Sequence, residues 1–198
     1  MTYTFAEKAA PQGAPLLFLL HGTGGNETDL LGLGGQVMPG AHLISPRGDV
    51  SEAGAPRFFK RLGMGVYDMD DLGRATHKLA MFVRERIAAT KPSTVAALGY
   101  SNGANVLASV LFETPELIDR AVLMHPLIPF VPKLQPGLAG RQVLITAGRR
   151  DPIGPVESTE QLVAYFTAQG ADARIVWHDG GHELRPTEVS EAQRFLRA

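Results

Sequence analysis

The 198-residue sequence contains no cysteine. This absence excludes disulfide bonds, thiolate metal sites and a cysteine nucleophile. It fits a reducing compartment without fixing one, because disulfides persist mainly in oxidising environments. Any nucleophilic chemistry must therefore come from another type of residue.

An excess of charge of one sign and long apolar runs are also lacking. The formal net charge is −1, and the basic pairs Lys60-Arg61 and Arg149-Arg150 are too short to form the dense basic patch that nucleic acids or anionic membranes require. We interpret both pairs as solvated surface over most of their length. No apolar run approaches the roughly 20 residues that span a bilayer, and the N-terminal residues lack the basic start and apolar core of a signal peptide. We therefore expect a cytoplasmic protein without nucleic-acid or membrane partners.

Short apolar runs alternate with helical patterns along the chain. Hydrophobic residues make up 44% of the sequence, and its length suits one domain, which we assign to residues 1–198. The apolar runs are continuous rather than alternating, which favours strands covered on both faces, as in a parallel sheet. The predicted strands are Leu16–Leu20, Ala41–Ile44, Val95–Leu98, Ala121–Met124, Gln142–Thr146 and Ala173–Trp177. The predicted helices are Asp70–Ala89, Asn102–Phe112, Pro155–Gln169 and Thr187–Leu196.

This alternation predicts a doubly wound α/β domain, in which ligands bind at the carboxyl ends of the strands. The Gly- and Pro-rich stretch Gly32–Gly65 is predicted to be only partly regular, and we expect its latter part to form loops over the sheet edge.

A candidate nucleophile follows the predicted strand Val95–Leu98. Gly99-Tyr100-Ser101-Asn102-Gly103 matches G-x-S-x-G, comes directly after a predicted strand and opens a predicted helix. That context is the strand–turn–helix of a nucleophile elbow, in which the glycines make room for a tight turn and the serine Oγ is exposed above the sheet. The alternative is an ordinary Gly-Ser loop.

A glycine-rich loop follows the first predicted strand. His21-Gly22-Thr23-Gly24-Gly25 is similar to the H-G-G-G type of oxyanion loop, in which backbone N–H groups approach a substrate carbonyl. We expect the donors to be the N–H groups of Thr23 and Asn102, and we expect His21 to orient the loop. A phosphate-binding loop is the alternative, but neither G-x-G-x-x-G nor the P-loop spacing is present.

The base and its acid partner are expected in two later loops. His182 lies after the last predicted strand, with His178 as its main rival. Asp151 follows the strand Gln142–Thr146, and the resulting chain order of serine, aspartate and histidine is that of α/β-hydrolases. Asp179 and Glu183 are nearer to His182 in sequence, but a residue of the same short loop rarely reaches the far side of the imidazole ring. His125, which follows another strand, either lines the site or is structural.

These motifs resemble the phospholipase/carboxylesterase family of α/β-hydrolases, which includes acyl-protein thioesterases and small bacterial carboxylesterases. The resemblance extends from Leu16 to Leu196, and Ser45-Pro46-Arg47-Gly48 and Pro56-Arg57-Phe58-Phe59 look most like the branch linked to hydroquinone resistance. It implies an α/β-hydrolase fold with a mostly parallel central sheet flanked by helices, a triad of Ser101, Asp151 and His182, and oxyanion donors at Thr23 and Asn102. The thioesterase branch usually has Gln after the nucleophile, whereas this chain has Asn102.

The expected activity is hydrolysis of small carboxylic esters through an acyl-enzyme, with no metal and no organic cofactor. The chain is short for this fold, so we expect no separate lid domain and a fairly open site. Substrate-lining candidates are Arg57, Phe58, Phe59, Met64, Phe130 and Ile153, each of which could instead have a packing or surface role.

Several alternatives to this activity stay open. One is a ligand-sensing protein that retains the triad but turns over slowly or not at all. Others are a thioesterase or lysophospholipase, and a lactone or dienelactone hydrolase, although those last enzymes can use a cysteine that this chain lacks. The family resemblance also suggests a homodimer.

Overall fold

The computed structural model describes residues 2–197 of the chain. A seven-stranded sheet has the strand order β1-β3-β2-β8-β9-β10-β11, and only the pairing of β1 with β3 is antiparallel. The strands are β1 Phe5–Lys8, β2 Leu16–Leu20, β3 His42–Pro46, β4 Val50–Glu52, β5 Ala55–Arg57, β6 Arg61–Gly63, β7 Val66–Tyr67, β8 Val95–Tyr100, β9 Arg120–Met124, β10 Gln142–Gly148 and β11 Asp172–His178. The α-helices are α1 Leu31–Val37, α2 Met69–Thr90, α3 Asn102–Glu113, α4 Val156–Ala168 and α5 Pro186–Arg197, and short 3-10 helices cover Pro115–Leu117 and Pro136–Leu138.

The central strands are apolar throughout because helices cover both faces of the sheet. In β2, Leu16, Phe18 and Leu20 belong to one hydrophobic cluster, whereas Leu17 and Leu19 belong to another. Successive side chains of a strand point to opposite faces, so one strand contributes to two cores. Helices α2, α3 and α4 cover the first face, and α1 and α5 cover the second. This is an α/β-hydrolase architecture, as the sequence predicts.

All six predicted strands and all four predicted helices are present, with bounds that differ by a few residues. The pattern missed β1, an edge strand whose Phe-Ala-Glu-Lys sequence is half-exposed. It also missed the seven-residue α1, which contains three glycines.

The stretch predicted as loops over the sheet edge contains two small hairpins. Strands β4 and β5 pair antiparallel, and so do β6 and β7. Side chains between residues 57 and 67 form one wall of a cleft that also contains residues following β8 and β11. The described residues contain no separate lid domain, and none of their helices is long and apolar enough to cross a membrane.

Candidate active site

Ser101 lies on a strained turn between β8 and α3. Its backbone has φ 52° and ψ −115°, a conformation that L residues rarely adopt and that local strain maintains at functional sites. The turn needs the glycines on either side of it. A Cβ on Gly103 would lie 2.1 Å from the carbonyl oxygen of Leu20, and one on Gly99 would lie 2.6 Å from the backbone of Gly103.

The structure brings Ser101, His182 and Asp151 together from three separate loops. The Nε2 atom of His182 lies 2.9 Å from Ser101 Oγ, and its Nδ1 atom lies 2.7 Å from Asp151 Oδ2. These distances are those of hydrogen bonds. Because the carboxylate accepts from Nδ1–H, Nε2 is left free to accept the serine proton.

Asp151 is held from two sides. Its Oδ1 atom accepts hydrogen bonds from the backbone N–H groups of Ile153 at 2.8 Å and Gly154 at 3.2 Å. Burial alone would raise the pKa of the Asp151 carboxyl, but the hydrogen bonds from His182, His125 and these backbone groups hold that pKa below its ordinary value. Asp151 is therefore an anion at neutral pH.

The nearer acids do not contact His182. Asp179 is exposed on the surface. Glu183 instead forms an ion pair with Arg185 and accepts a hydrogen bond from Gly181 N–H.

The glycine-rich loop after β2 is fixed by His21. Its Nδ1–H group donates to Gly22 O at 2.7 Å, because its Nε2 atom accepts from the N–H of Gly48 at 2.9 Å. Burial lowers the pKa of His21, which keeps the ring neutral in this arrangement. His21 therefore orients the loop, as expected from the sequence. Arg57 adds a second support by donating to Thr23 Oγ1 at 2.6 Å.

The backbone N–H groups of Thr23 and Asn102 face no acceptor within residues 2–197. Both residues line the cleft beside Ser101. The side chain of Asn102 makes a separate contact. Its Oδ1 atom accepts a hydrogen bond from the N–H of Phe58 at 2.8 Å, which connects the nucleophile turn to the chain before β6.

His125 lies behind Asp151 and is fully buried. Its Nδ1 atom is 3.1 Å from Asp151 Oδ2, and its Nε2 atom is 3.0 Å from Glu188 Oε1. Burial disfavours the charged ring, but Glu188 and Asp151 outweigh that effect and raise the pKa of His125. Glu188 was not identified from the sequence, because a glutamate in the first turn of a helix ordinarily faces solvent.

His178, the rival base, belongs to this same buried group. Its Nδ1 atom accepts from Gly180 N–H at 2.9 Å, and its Nε2 atom lies 3.2 Å from Glu188 Oε2. It therefore contacts Glu188 and not Ser101.

The histidines and acids also form two overlapping groups whose donor atoms lie close enough to hold a metal ion. One contains His125, Asp151 and His182, and the other contains His125, His178 and Glu188. In the second group Glu188 already accepts hydrogen bonds from Thr146 Oγ1 at 2.5 Å and from the N–H of Arg185 at 2.7 Å.

The cleft above Ser101 has a volume of about 260 Å³. Three of the predicted substrate-lining residues, Arg57, Met64 and Ile153, contribute to its walls. Five further side chains of the wall were not predicted: Arg61, Tyr67, Tyr100, Asn105 and Leu127. Arg61, whose side chain is 27% exposed, is thus half-buried in this wall, whereas Lys60, Arg149 and Arg150 are exposed as predicted.

Phe58 and Phe59 do not reach the cleft, which corrects the sequence prediction. Both are fully buried in the core on the α2 side of the sheet. Phe59 packs edge-on against Tyr67, with ring centroids 4.8 Å apart. Apolar core and apolar pocket residues look alike in a sequence. Phe130 lines a separate apolar groove beside α2 and α3.

A parallel sheet with a serine on a strand–turn–helix elbow and a histidine–aspartate pair in the following loops defines an α/β-hydrolase. Residues 62–185, more than half of the chain, match the dienelactone hydrolase family. The chain belongs to this family.

Named relatives agree with this assignment. The chain is 45% identical over 184 residues to MhqD of Bacillus subtilis strain 168, whose name describes it as a hydrolase, with 92% of each chain covered. It is similar in structure to Atu2452 of Agrobacterium tumefaciens strain C58, with a TM-score of 0.93 and 52% identity over 98% of this chain and 96% of that one. It is also similar to the Bacillus cereus carboxylesterase, with a TM-score of 0.91 and 39% identity over 97% and 92% of the two chains. The resemblance to the hydroquinone-resistance carboxylesterase branch is confirmed.

Proposed function

We propose that this hydrolase is a serine carboxylesterase that cleaves small carboxylic esters through an acyl-enzyme. The observation that supports this most is the continuous contact from Ser101 Oγ through His182 to Asp151, at 2.9 and 2.7 Å. This is the arrangement that nucleophilic catalysis by serine requires, because the serine hydroxyl is a poor nucleophile without a base at hydrogen-bond distance.

In the proposed cycle, His182 takes the proton of Ser101 as the oxygen attacks the ester carbonyl. Asp151 holds the ring in the tautomer with a proton on Nδ1 and stabilises its positive form. His182 then gives its proton to the leaving alcohol. Water, activated by the same ring, hydrolyses the acyl-enzyme and restores the serine.

The proposed oxyanion donors are the N–H groups of Thr23 and Asn102. Their support is their position beside Ser101 and the absence of acceptors for them within the described part of the chain. A preorganised donor of this kind contributes on the order of 3 kcal/mol to the barrier reduction. Arg57 and His21 support this loop, since Arg57 donates to the Thr23 side chain and His21 donates to the backbone of Gly22.

The size of the cleft favours small substrates. Its volume of about 260 Å³ lies below the range of roughly 300–1,000 Å³ that drug-sized ligands occupy. We propose Arg57, Met64 and Ile153 as substrate contacts, of which Met64 is 66% exposed at the rim. A homodimer, a cytoplasmic location and the absence of nucleic-acid and membrane partners stay predictions.

Burst kinetics test the proposal against its alternatives. With 4-nitrophenyl acetate, we expect a rapid stoichiometric release of nitrophenolate followed by sustained turnover, and neither in Ser101→Ala. A burst without turnover would favour a ligand sensor. A panel with a matched thioester, a lysophospholipid and an unsaturated lactone, compared by kcat/KM, separates a carboxylesterase from the remaining alternatives.

A further inference from the structure

One wall of the cleft carries two arginines. Arg57 and Arg61 both line it, whereas the lining residues within the described range 2–197 include neither aspartate nor glutamate. Arg57 is only 4% exposed, and a buried arginine ordinarily has a charged partner.

The charges around the two guanidinium groups do not balance. Glu52, which is 41% exposed and lies outside the cleft, is 2.8 Å from Arg61 and 3.3 Å from Arg57. The hydrogen-bond acceptors of Arg57 are neutral: Thr23 Oγ1 at 2.6 Å and the carbonyl oxygen of Phe59 at 3.1 Å. One carboxylate shared by two guanidiniums leaves an excess of about one positive charge on this wall of the cleft.

We propose that the preferred substrates are esters that also carry a carboxylate, which Arg57 and Arg61 bind while Ser101 attacks the ester carbonyl. This inference rests on the proposed esterase function. Guanidinium groups match carboxylates in geometry, and a cleft lined by one sign of charge raises the local concentration of the opposite sign.

Two pairs of substrates test this preference, one with the carboxylate in the acyl group and one with the carboxylate in the leaving phenol. 4-Nitrophenyl hemisuccinate is compared with its methyl ester, and 4-acetoxybenzoate with methyl 4-acetoxybenzoate. We expect kcat/KM to be at least about tenfold higher for the anionic member of at least one pair. This preference should weaken with added salt, because screening acts on the charged substrate only.

Three variants assign the preference to the arginines. The ratio of kcat/KM for the anionic ester to kcat/KM for its neutral methyl ester should fall toward one in Arg57→Gln and stay above one in Arg57→Lys. It should rise in Glu52→Gln, which removes the shared counter-charge. Using the ratio cancels any general loss that follows from the contact of Arg57 with Thr23.

If neutral esters are cleaved equally well and the ratio is unaffected by Arg57→Gln, the substrate class is wrong while the esterase function stands. If no ester of either pair is turned over, both proposals fail.

A second inference comes from the buried group behind the triad. Asp151, His125 and Glu188 form a row with contacts of 3.1 and 3.0 Å, and their side chains are 1%, 0% and 0% exposed. Two buried carboxylates this close repel each other strongly unless a cation lies between them.

The groups that face His125 indicate that its ring is that cation. Besides the two carboxylates, it is faced by His178, His182 and Tyr100, with ring centroids 5.3, 5.1 and 5.9 Å away. The Nδ1 atom of His178 accepts a hydrogen bond, so its ring is the neutral tautomer with a proton on Nε2.

We infer that His125 is an imidazolium that joins Asp151 to Glu188 and fixes the orientation of the triad carboxylate. It is a positioning residue, since it acts on His182 through Asp151. By drawing part of the negative charge of Asp151 to its own side, it weakens the attraction of that carboxylate for a protonated His182.

Nitrogen-15 NMR of histidine-labelled native protein tests the charge of His125 directly. Both ring nitrogens of His125, assigned with His125→Gln, should have imidazolium shifts at pH 7. In Glu188→Gln the ring should lose its proton at lower pH than in the native protein. A neutral His125 ring at pH 7 in the native protein would overturn the inference.

Kinetics test the positioning role. In His125→Gln, kcat should fall about tenfold with KM nearly unchanged, and the acid limb of the kcat/KM profile should move to higher pH. A loss of kcat with no displacement of that limb would mean that His125 is only a packing residue.

Discussion

The hydroxyl of Tyr100 donates a hydrogen bond to the backbone carbonyl oxygen of His182, at 2.7 Å and across 82 residues of sequence. The two rings also contact each other, with centroids 5.6 Å apart. Tyr100 immediately precedes Ser101, so the residue next to the nucleophile also holds the loop of the base. The separation of serine and histidine is thereby fixed from both ends.

Tyr100→Phe should lower kcat about two- to tenfold with little change in KM, because one neutral hydrogen bond contributes about 0.5–1.5 kcal/mol. Tyr165→Phe is the matched control: its hydroxyl donates to Lys133 O at 2.6 Å on an exposed surface. Steady-state kinetics on both variants check this, and equal losses would remove the special role of Tyr100.

The acid of the triad is predicted to be Asp151. Asp151→Asn should favour the wrong imidazole tautomer and reduce kcat by about 10⁴-fold, whereas Asp179→Asn should lose less than about tenfold. Circular dichroism on both variants confirms that they fold. Losses in the reverse order would move the acid to Asp179.

Short acyl chains should be preferred. For 4-nitrophenyl esters of increasing chain length, we expect kcat/KM to reach its maximum at a short chain and then decline, since the volume of the cleft is only about 260 Å³. A steady rise up to long-chain esters would contradict the small-substrate proposal.

The stability of the protein should depend on the proton of His125. The folded pKa of His125 is raised above its ordinary value of 6.5, so its stabilising contribution is fully present below about pH 6.5 and is lost as the pH rises through the folded pKa. Urea unfolding from pH 6 to 9 should show this alkaline loss in the native protein and a smaller one in His125→Gln. The difference between the two slopes cannot exceed about 1.4 kcal/mol per pH unit.

Much of the site was predictable because its residues lie in short loops at strand ends. Ser101, Asp151 and His182 were identified from local motifs, and the parallel sheet then brings those loops to one edge. The two short hairpins between β3 and α2 were not predicted, since strands of two or three residues leave no periodic pattern. Their cleft residues Arg61 and Tyr67 were missed for the same reason.

The positions of the remaining side chains depend on tertiary contacts, which the sequence pattern does not show. Phe58 and Phe59 occupy the core and not the cleft, a difference that residue type does not encode. Glu188 is fully buried against Thr146 and His125 although it lies in the first turn of a helix with a polar surface. Only the folded chain shows that its carboxylate faces inward.

The most direct test of the central claim, that Ser101 is the nucleophile, is covalent labelling with a fluorophosphonate. Intact-mass analysis should show one adduct per chain, and peptide mapping should place it on Ser101. The adduct should be absent in Ser101→Ala and formed more slowly in Asp151→Asn. Folded native protein without an adduct, or with the adduct on another residue, would contradict the account.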